Sequence, residues 1–208
     1  MKRCVIFGGA GIGDYDNISK YLRNDDFLIF CDSGLKHMDA LGLSADLIIG
    51  DFDSHENPHL DVETIILPHE KDDTDTVFAV KEAVKRGFDD FLLLGMTGAR
   101  IDHTLGNLSI LLMLDTARKH AVMVDDYSEM EIVSASPAFV EEKYPFFSLL
   151  NISGTAENIT IENAKYPLNG AGITCDYQYG VSNEVIPGKV ARITVKEGRL
   201  LLVKVLRE

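Results

Sequence analysis

The 208-residue chain carries 20 Lys and Arg against 33 Asp and Glu, a net charge of −13, which argues against direct binding of nucleic acid, whose phosphates are held by basic surfaces. Its 46% of hydrophobic residues suits a folded core, and no apolar run approaches the roughly 18–20 residues of a membrane span. The basic start Met1-Lys2-Arg3 leads into an apolar run that stops at Gly8-Gly9, too short for a signal-peptide core, so a first strand and a cytoplasmic location are expected.

In chain order, apolar runs rich in β-branched residues predict strands at residues 4–7, 27–31, 47–49, 64–67, 91–94 and 121–124. Helical spacing predicts a helix over 76–86, with Val77, Val80, Ala83 and Val84 on one face and Gly87 as its cap. A longer helix follows over 102–119, carrying Leu105, Leu108, Leu111, Leu112 and Asp115. Strands alternating with helices predict an α/β fold, a mainly parallel Rossmann-like sheet with helices on both faces. From about residue 126 the pattern changes to strands at 131–134, 146–152, 158–161, 190–195 and 200–205, with no convincing helix. Glu197-Gly198 reads as a hairpin turn joining the last two. An α/β domain over 1–126 and an antiparallel β domain over 127–208 are therefore expected. Cys4 and Cys31 sit in strand-like runs and read as buried thiols. No Cys or His spacing suits zinc.

Ligands of parallel sheets gather at the carboxyl ends of strands, and the unusual polar residues fall there. Asp51 and Asp53 are two apart on the exit from a strand. On extended chain they point to one side, roughly 6.5–7 Å apart, so both can reach one Mg²⁺ or a pair of ions. A solvated acidic turn uses the same residues; the position after a buried strand favours the metal. Lys71-Asp72-Asp73-Thr74-Asp75-Thr76 opens the first long helix. Capping explains one such residue but not three aspartates and two threonines. Asp75 is the carboxylate best placed to complete a site begun by Asp51 and Asp53.

A third constellation runs Thr97-Gly98-Ala99-Arg100-Ile101-Asp102-His103-Thr104, with Asn107 one turn on. Glycine admits close backbone approach, a helix start offers amide donors, and Arg100 brings a planar fork suited to phosphate oxygens. Asp102 is a helix cap, a metal ligand or the orienter of Arg100. His103 reads as a hydrogen-bonding contact rather than a general base. Gly8-Gly9-Ala10-Gly11-Ile12-Gly13 fits neither the dinucleotide fingerprint nor the Walker loop, and reads as a backbone turn near a ligand.

Together these segments resemble the thiamine pyrophosphokinase (thiamine diphosphokinase) family. Gly50-Asp51-Phe52-Asp53-Ser54, Lys71 to Thr76 and Gly95 to Asn107 carry the resemblance, with a shorter match at Gly180-Val181-Ser182-Asn183-Glu184 and an early acidic loop at Asp32-Ser33-Gly34. It implies a C-terminal β-sandwich that helps bind thiamine, and a homodimer with active sites between subunits. It further implies transfer of the terminal diphosphate of ATP to the hydroxyethyl oxygen of thiamine, with AMP as the other product. By the resemblance Asp51, Asp53 and Asp75 are magnesium ligands with Asp102 nearby, and Arg100 contacts the triphosphate. Gly9, Asp32, Ser33 and Gly34 are further candidate ATP contacts, as are Lys71, Asp72 and Thr74. Thr97, Gly98, His103 and Asn107 complete that set, while Ser182 and Asn183 belong to the thiamine pocket. Two departures stand out: Ala99 replaces a glycine, and the chain lacks Trp, leaving Tyr177 or Tyr179 to stack on thiamine or simply to pack. The competing readings are a metal-dependent phosphohydrolase, a non-catalytic binder, and a diphosphokinase for another heterocyclic alcohol such as a pterin.

Overall fold

The computed structural model describes residues 2–53, 58–98 and 100–207; Ser54 and Ala99 of the motifs above lie outside the described residues. The chain divides into two compact units, residues 1–126 and 127–208. No helix among the described residues is long and apolar enough to cross a membrane.

In the first unit, β1 (Arg3–Phe7), β2 (Phe27–Cys31), β3 (Leu47–Gly50), β4 (Glu63–Ile66), β5 (Asp90–Leu94) and β6 (His120–Val124) form a parallel array in the order β4-β3-β2-β1-β5-β6. β1 and β3 are buried along their whole length, the continuous burial of a central parallel strand. Chain order reverses between β1 and β5, and such a switch point opens a ligand crevice at the carboxyl ends. The loops after these two strands interlock there. The Gly8 amide donates to Leu94 O at 2.8 Å and the Ala10 amide to Gly95 O at 2.9 Å. Gly95 has φ +64°, and a Cβ on it would stand 2.5 Å from Gly8 O, so this crossing requires glycine.

Between the strands lie α1 (Tyr15–Ser19), α2 (Lys36–Leu41), α3 (Asp75–Lys85) and α4 (Ile101–Thr116). α3 starts where Thr74 Oγ1 accepts from the Val77 amide, carries Asp75 in its first turn and Lys85 in its last, and buries Ala79, Val80 and Ala83. α4 ends at Thr116, three residues short of the expected 102–119 span. Ile110, Leu111 and Leu114 are buried, whereas Leu105 is 60% exposed. α1, α2 and a 3₁₀ turn at Asp32–Leu35 are too short to show a readable period.

The second unit contains β7 (Ser128–Val133), β8 (Ala138–Glu141), β9 (Phe146–Leu150), β10 (Thr155–Glu162), β11 (Leu168–Thr174), β12 (Val190–Thr194) and β13 (Leu200–Val205). They form two antiparallel arrays, β7-β13-β9 and β11-β10-β12-β8. Alternate residues turn inward: Leu200 and Leu202 of β13 share a core with Ile159 and Ile161 of β10 and Ala191 and Ile193 of β12. The expected hairpin at Glu197-Gly198 is not one, because β12 and β13 belong to different arrays. Gly198, at φ +85°, instead carries the chain across between them, with the Glu157 amide donating to Glu197 O at 2.9 Å.

Candidate active site

A cleft of about 610 Å³ opens at the carboxyl ends of β1, β2, β3 and β5, within the size range of ligand pockets. Asp51 and Asp53, Lys71, Thr74 and Asp75, and Gly98, Arg100, His103 and Asn107 line it together with Gly9, Asp32 and Ser33. Residues from five separate strand ends and helix starts thus converge in one place.

The acidic centre is built by backbone shape. Phe52 has φ +59°, so the segment bends after Asp51 instead of running extended, and Asp51 and Asp53 do not act as a simple alternating pair. Oxygens of Asp32, Asp51 and Asp75 lie within 4.8 Å of one another, and Asp51, Asp53 and His69 form a second such group. Asp51 belongs to both. Asp32 enters because Gly50 lacks a side chain: a Cβ there would stand 3.0 Å from Asp32 Cβ. Asp32 itself holds φ +35°, a strained backbone for a non-glycine residue and one often found at functional sites.

Charge in this group is unevenly balanced. The Lys71 ammonium hydrogen-bonds Asp51 Oδ2 and lies 3.0 Å from Asp75 Oδ1. That hydrogen bond holds the Asp51 carboxyl below its ordinary range. Burial pushes Asp75 up despite Lys71, and pushes Asp32 up with Asp75, Asp53 and Asp51 adding to it. Asp32 is 6% exposed, and its Oδ1 has no hydrogen-bond partner. Around Mg²⁺, oxygen ligands at about 2.1 Å stand roughly 3 to 4.2 Å apart. The 4.8 Å limit on the three oxygens is only slightly wider, and a buried, unpartnered carboxylate oxygen among three such hard donors suits a divalent cation.

Asp32→Asn is expected to raise the melting temperature of the metal-free protein by about 2–4 °C, the effect of about 1 kcal/mol in a chain of this size. Turnover should fall at least tenfold. Because burial holds the folded carboxyl above its ordinary 3.8, its ionised form opposes folding at neutral pH. The gain should vanish as pH falls through the raised value, where the native carboxyl is itself neutral. Melting curves in chelator check this; an unchanged or lower melting temperature contradicts it.

Several expected contacts stand outside the cleft lining. Gly34 is buried beneath it, where a Cβ would meet Phe7 O at 2.4 Å. Thr97 turns its hydroxyl to Asp125 Oδ2 at 2.7 Å, and Asp72 faces solvent. Asp102 orients Arg100, with Oδ2 2.5 Å and Oδ1 3.2 Å from the guanidinium. Arg100 pulls its carboxyl down to about 2, and Asp102 belongs to no metal-spaced group among the described residues. The Gly98 amide donates to Thr104 Oγ1 at 3.1 Å, and Asn107 Nδ2 to Met96 O at 2.7 Å, so both tie down the loop after β5. In the second unit Asn183 is buried, its Oδ1 accepting from the Tyr166 and Glu184 amides and its Nδ2 donating to Tyr166 O. Ser182, at φ +57°, is exposed. Tyr177 and Tyr179 pack on each other, ring centroids 5.5 Å apart, and remain 69% and 40% exposed.

One supporting residue carries no sequence signal. His37 is fully buried in the six-residue α2, with Nε2 2.8 Å from Ala10 O and Nδ1 2.8 Å from the Tyr15 hydroxyl. Burial lowers its pKa. A carbonyl only accepts, so Nε2 carries the proton and Nδ1 accepts from Tyr15. Lys36 Nζ holds Gly9 O at 2.5 Å. Together the pair fixes the glycine-rich loop at the cleft mouth.

A parallel sheet with an acidic cleft at its switch point, joined to an antiparallel β unit, defines a two-domain α/β enzyme. Residues 18–124 match the family described as thiamin pyrophosphokinase, catalytic domain, and residues 133–200 match thiamin pyrophosphokinase, vitamin B1 binding domain. The chain belongs to the thiamin pyrophosphokinase family. It is 25% identical over 212 residues to thiamine pyrophosphokinase of Bacillus subtilis, covering 98% of this chain and 99% of that protein. The crystal structure of the Bacillus subtilis protein superposes with a TM-score of 0.86 at 24% identity over all of both chains. That of thiamin pyrophosphokinase from Geobacillus thermodenitrificans gives 0.82 at 26% identity, over 99% of this chain and 97% of that one.

Proposed function

We propose that the chain transfers the terminal diphosphate of ATP to the hydroxyethyl oxygen of thiamine, giving thiamine diphosphate and AMP. The observation that carries this reading is the group of Asp32, Asp51 and Asp75 oxygens at the sheet's carboxyl edge, in one cleft with Lys71 and Arg100. Family membership supports the choice of thiamine as acceptor. Residues 1–126 bind ATP and magnesium and residues 127–208 bind thiamine, in a cytoplasmic homodimer.

Bound magnesium would supply positive charge against the phosphate oxygens. Asp51 and Asp75 would hold it, with Asp32 or Asp53 as further oxygen donors. Arg100 and Lys71 donate to phosphate oxygens, and the loop held by His37 and Lys36 shapes the adjoining wall. The thiamine oxygen forms a bond to the β-phosphorus as the bond from that phosphorus to the oxygen of the α-phosphate breaks. AMP leaves with the bonding pair, and a cleft carboxylate takes the hydroxyl proton. Such a transfer depends on positioning and charge more than on covalent catalysis.

With ATP and Mg²⁺, AMP should appear only when thiamine is added. Acceptor-independent AMP would make the chain a phosphohydrolase. AMP with a hydroxymethyl pterin but not with thiamine would overturn the acceptor.

A further inference from the structure

We infer that Lys71 is a resident counter-ion, competing with the divalent cation for Asp51 and Asp75 and making cation loading depend on nucleotide. This rests on the metal reading of the cleft given above. Two features point to it. The Lys71 ammonium contacts Asp51 Oδ2 and Asp75 Oδ1, and both residues belong to the carboxylate group whose oxygens lie within 4.8 Å. Its side chain is only 16% exposed, so the pair sits in the wall of the cleft and is not a loose surface contact.

Lysine and metal would compete for the same two carboxylates. Magnesium binds carboxylate oxygen at about 2.1 Å, closer than the 3.0 Å between Lys71 Nζ and Asp75 Oδ1. Two cations on the same pair of carboxylates would repel strongly in this low-dielectric wall. Loading the ion therefore displaces the ammonium. Its flexible four-carbon stem can carry three donors elsewhere in the cleft. Without nucleotide, the displaced charge loses its carboxylates and gains only water. With a triphosphate present it gains phosphate oxygens, so nucleotide and cation load together. Lys71 thus neutralises Asp51 and Asp75 when no nucleotide is bound and discourages capture of a bare ion.

The test is a titration with Mn²⁺ alone, free ion being read by electron paramagnetic resonance, on wild type, Lys71→Met, Lys71→Arg and Asp51→Asn. Lys71→Met removes the competing charge and should bind Mn²⁺ about tenfold tighter than wild type, since affinity follows the net charge of the ligand set. Lys71→Arg should stay near wild type. Lys71→Met should also melt lower than wild type in chelator, and Mn²⁺ should close that gap. Equal or weaker Mn²⁺ binding by Lys71→Met, with binding lost in Asp51→Asn, overturns the counter-ion role alone. Wild-type affinity in Asp51→Asn overturns the cation site itself. A readout on the native chain stands apart from these variants: acylation of Lys71 by an amine reagent, followed by peptide mass mapping. Mn²⁺ without nucleotide should speed it several-fold, and no increase counts against displacement.

Discussion

Asp51→Asn is expected to lower turnover about a hundredfold to a thousandfold, with the overall fold retained. Asp51 is the carboxylate shared by both metal-spaced groups, so its loss weakens either arrangement of ligands. Removing one preorganised charge from a phosphoryl-transfer site commonly costs two to three orders of magnitude in rate. Asparagine keeps the shape but offers a neutral oxygen, and leaves the Lys71 ammonium facing Asp75 alone. The measurement is kcat at saturating ATP and thiamine across rising Mg²⁺, beside a circular dichroism spectrum. Near-normal turnover at high Mg²⁺ would remove Asp51 from the centre of the mechanism. The substitution also has a pH signature. The native carboxyl is held below its ordinary value by Lys71, so its contribution to stability is present above the ordinary range. That contribution is lost as pH falls through the depressed value, and the variant should lack this acid-side loss.

Arg3→Met is expected to destabilise the protein by about 3–5 kcal/mol, the usual consequence of stranding one member of a buried ion pair. Arg3 Nε and Nη2 grip Asp26 Oδ1 and Oδ2 at 2.9 and 2.7 Å, with side-chain exposures of 9% and 1%. Nη2 also donates to Tyr21 O at 2.6 Å, joining the start of β1 to the segment that leads into β2. Without the guanidinium, Asp26 keeps the Arg23 amide at 2.7 Å as one donor, too little to offset a buried charge. Thermal melting should fall by roughly 10 °C. Changing Asp26→Leu as well should recover much of the loss, because the stranded charge then disappears. A single-variant loss below about 1 kcal/mol would show the pair to be hydrated and weak.

The sheet was legible because its strands are unbroken apolar runs ending at glycine or aspartate, as at Cys4–Phe7 before Gly8 and Leu47–Ile49 before Gly50. α3 was legible because Thr74 and Gly87 mark its ends. The buried face of α4 could not be read, since Leu105, Leu108, Leu111 and Leu112 give it more apolar surface than one core-facing stripe needs. The meeting of Asp32 with Asp51 and Asp75 depends on three chain segments converging, and on the absence of a side chain at Gly50, which no local pattern encodes. His37 lacks any signal because its partners, Tyr15 and Ala10, are distant in sequence and α2 is too short to show a period. Glu197-Gly198 looked like a hairpin because turn chemistry is the same whether a chain folds back or crosses between sheets. The hydrogen bonds of Asn183 to the Tyr166 and Glu184 backbone were not legible either, because these segments meet only in the fold.

The central claim is that the acidic cleft delivers a diphosphate from ATP to thiamine. Phosphorus NMR of the reaction with ATP, Mg²⁺ and thiamine tests it most directly. Thiamine diphosphate and AMP should rise in equal amounts, with neither ADP nor inorganic phosphate accumulating. Thiamine monophosphate with ADP, or inorganic phosphates released at the same rate without thiamine, would contradict it.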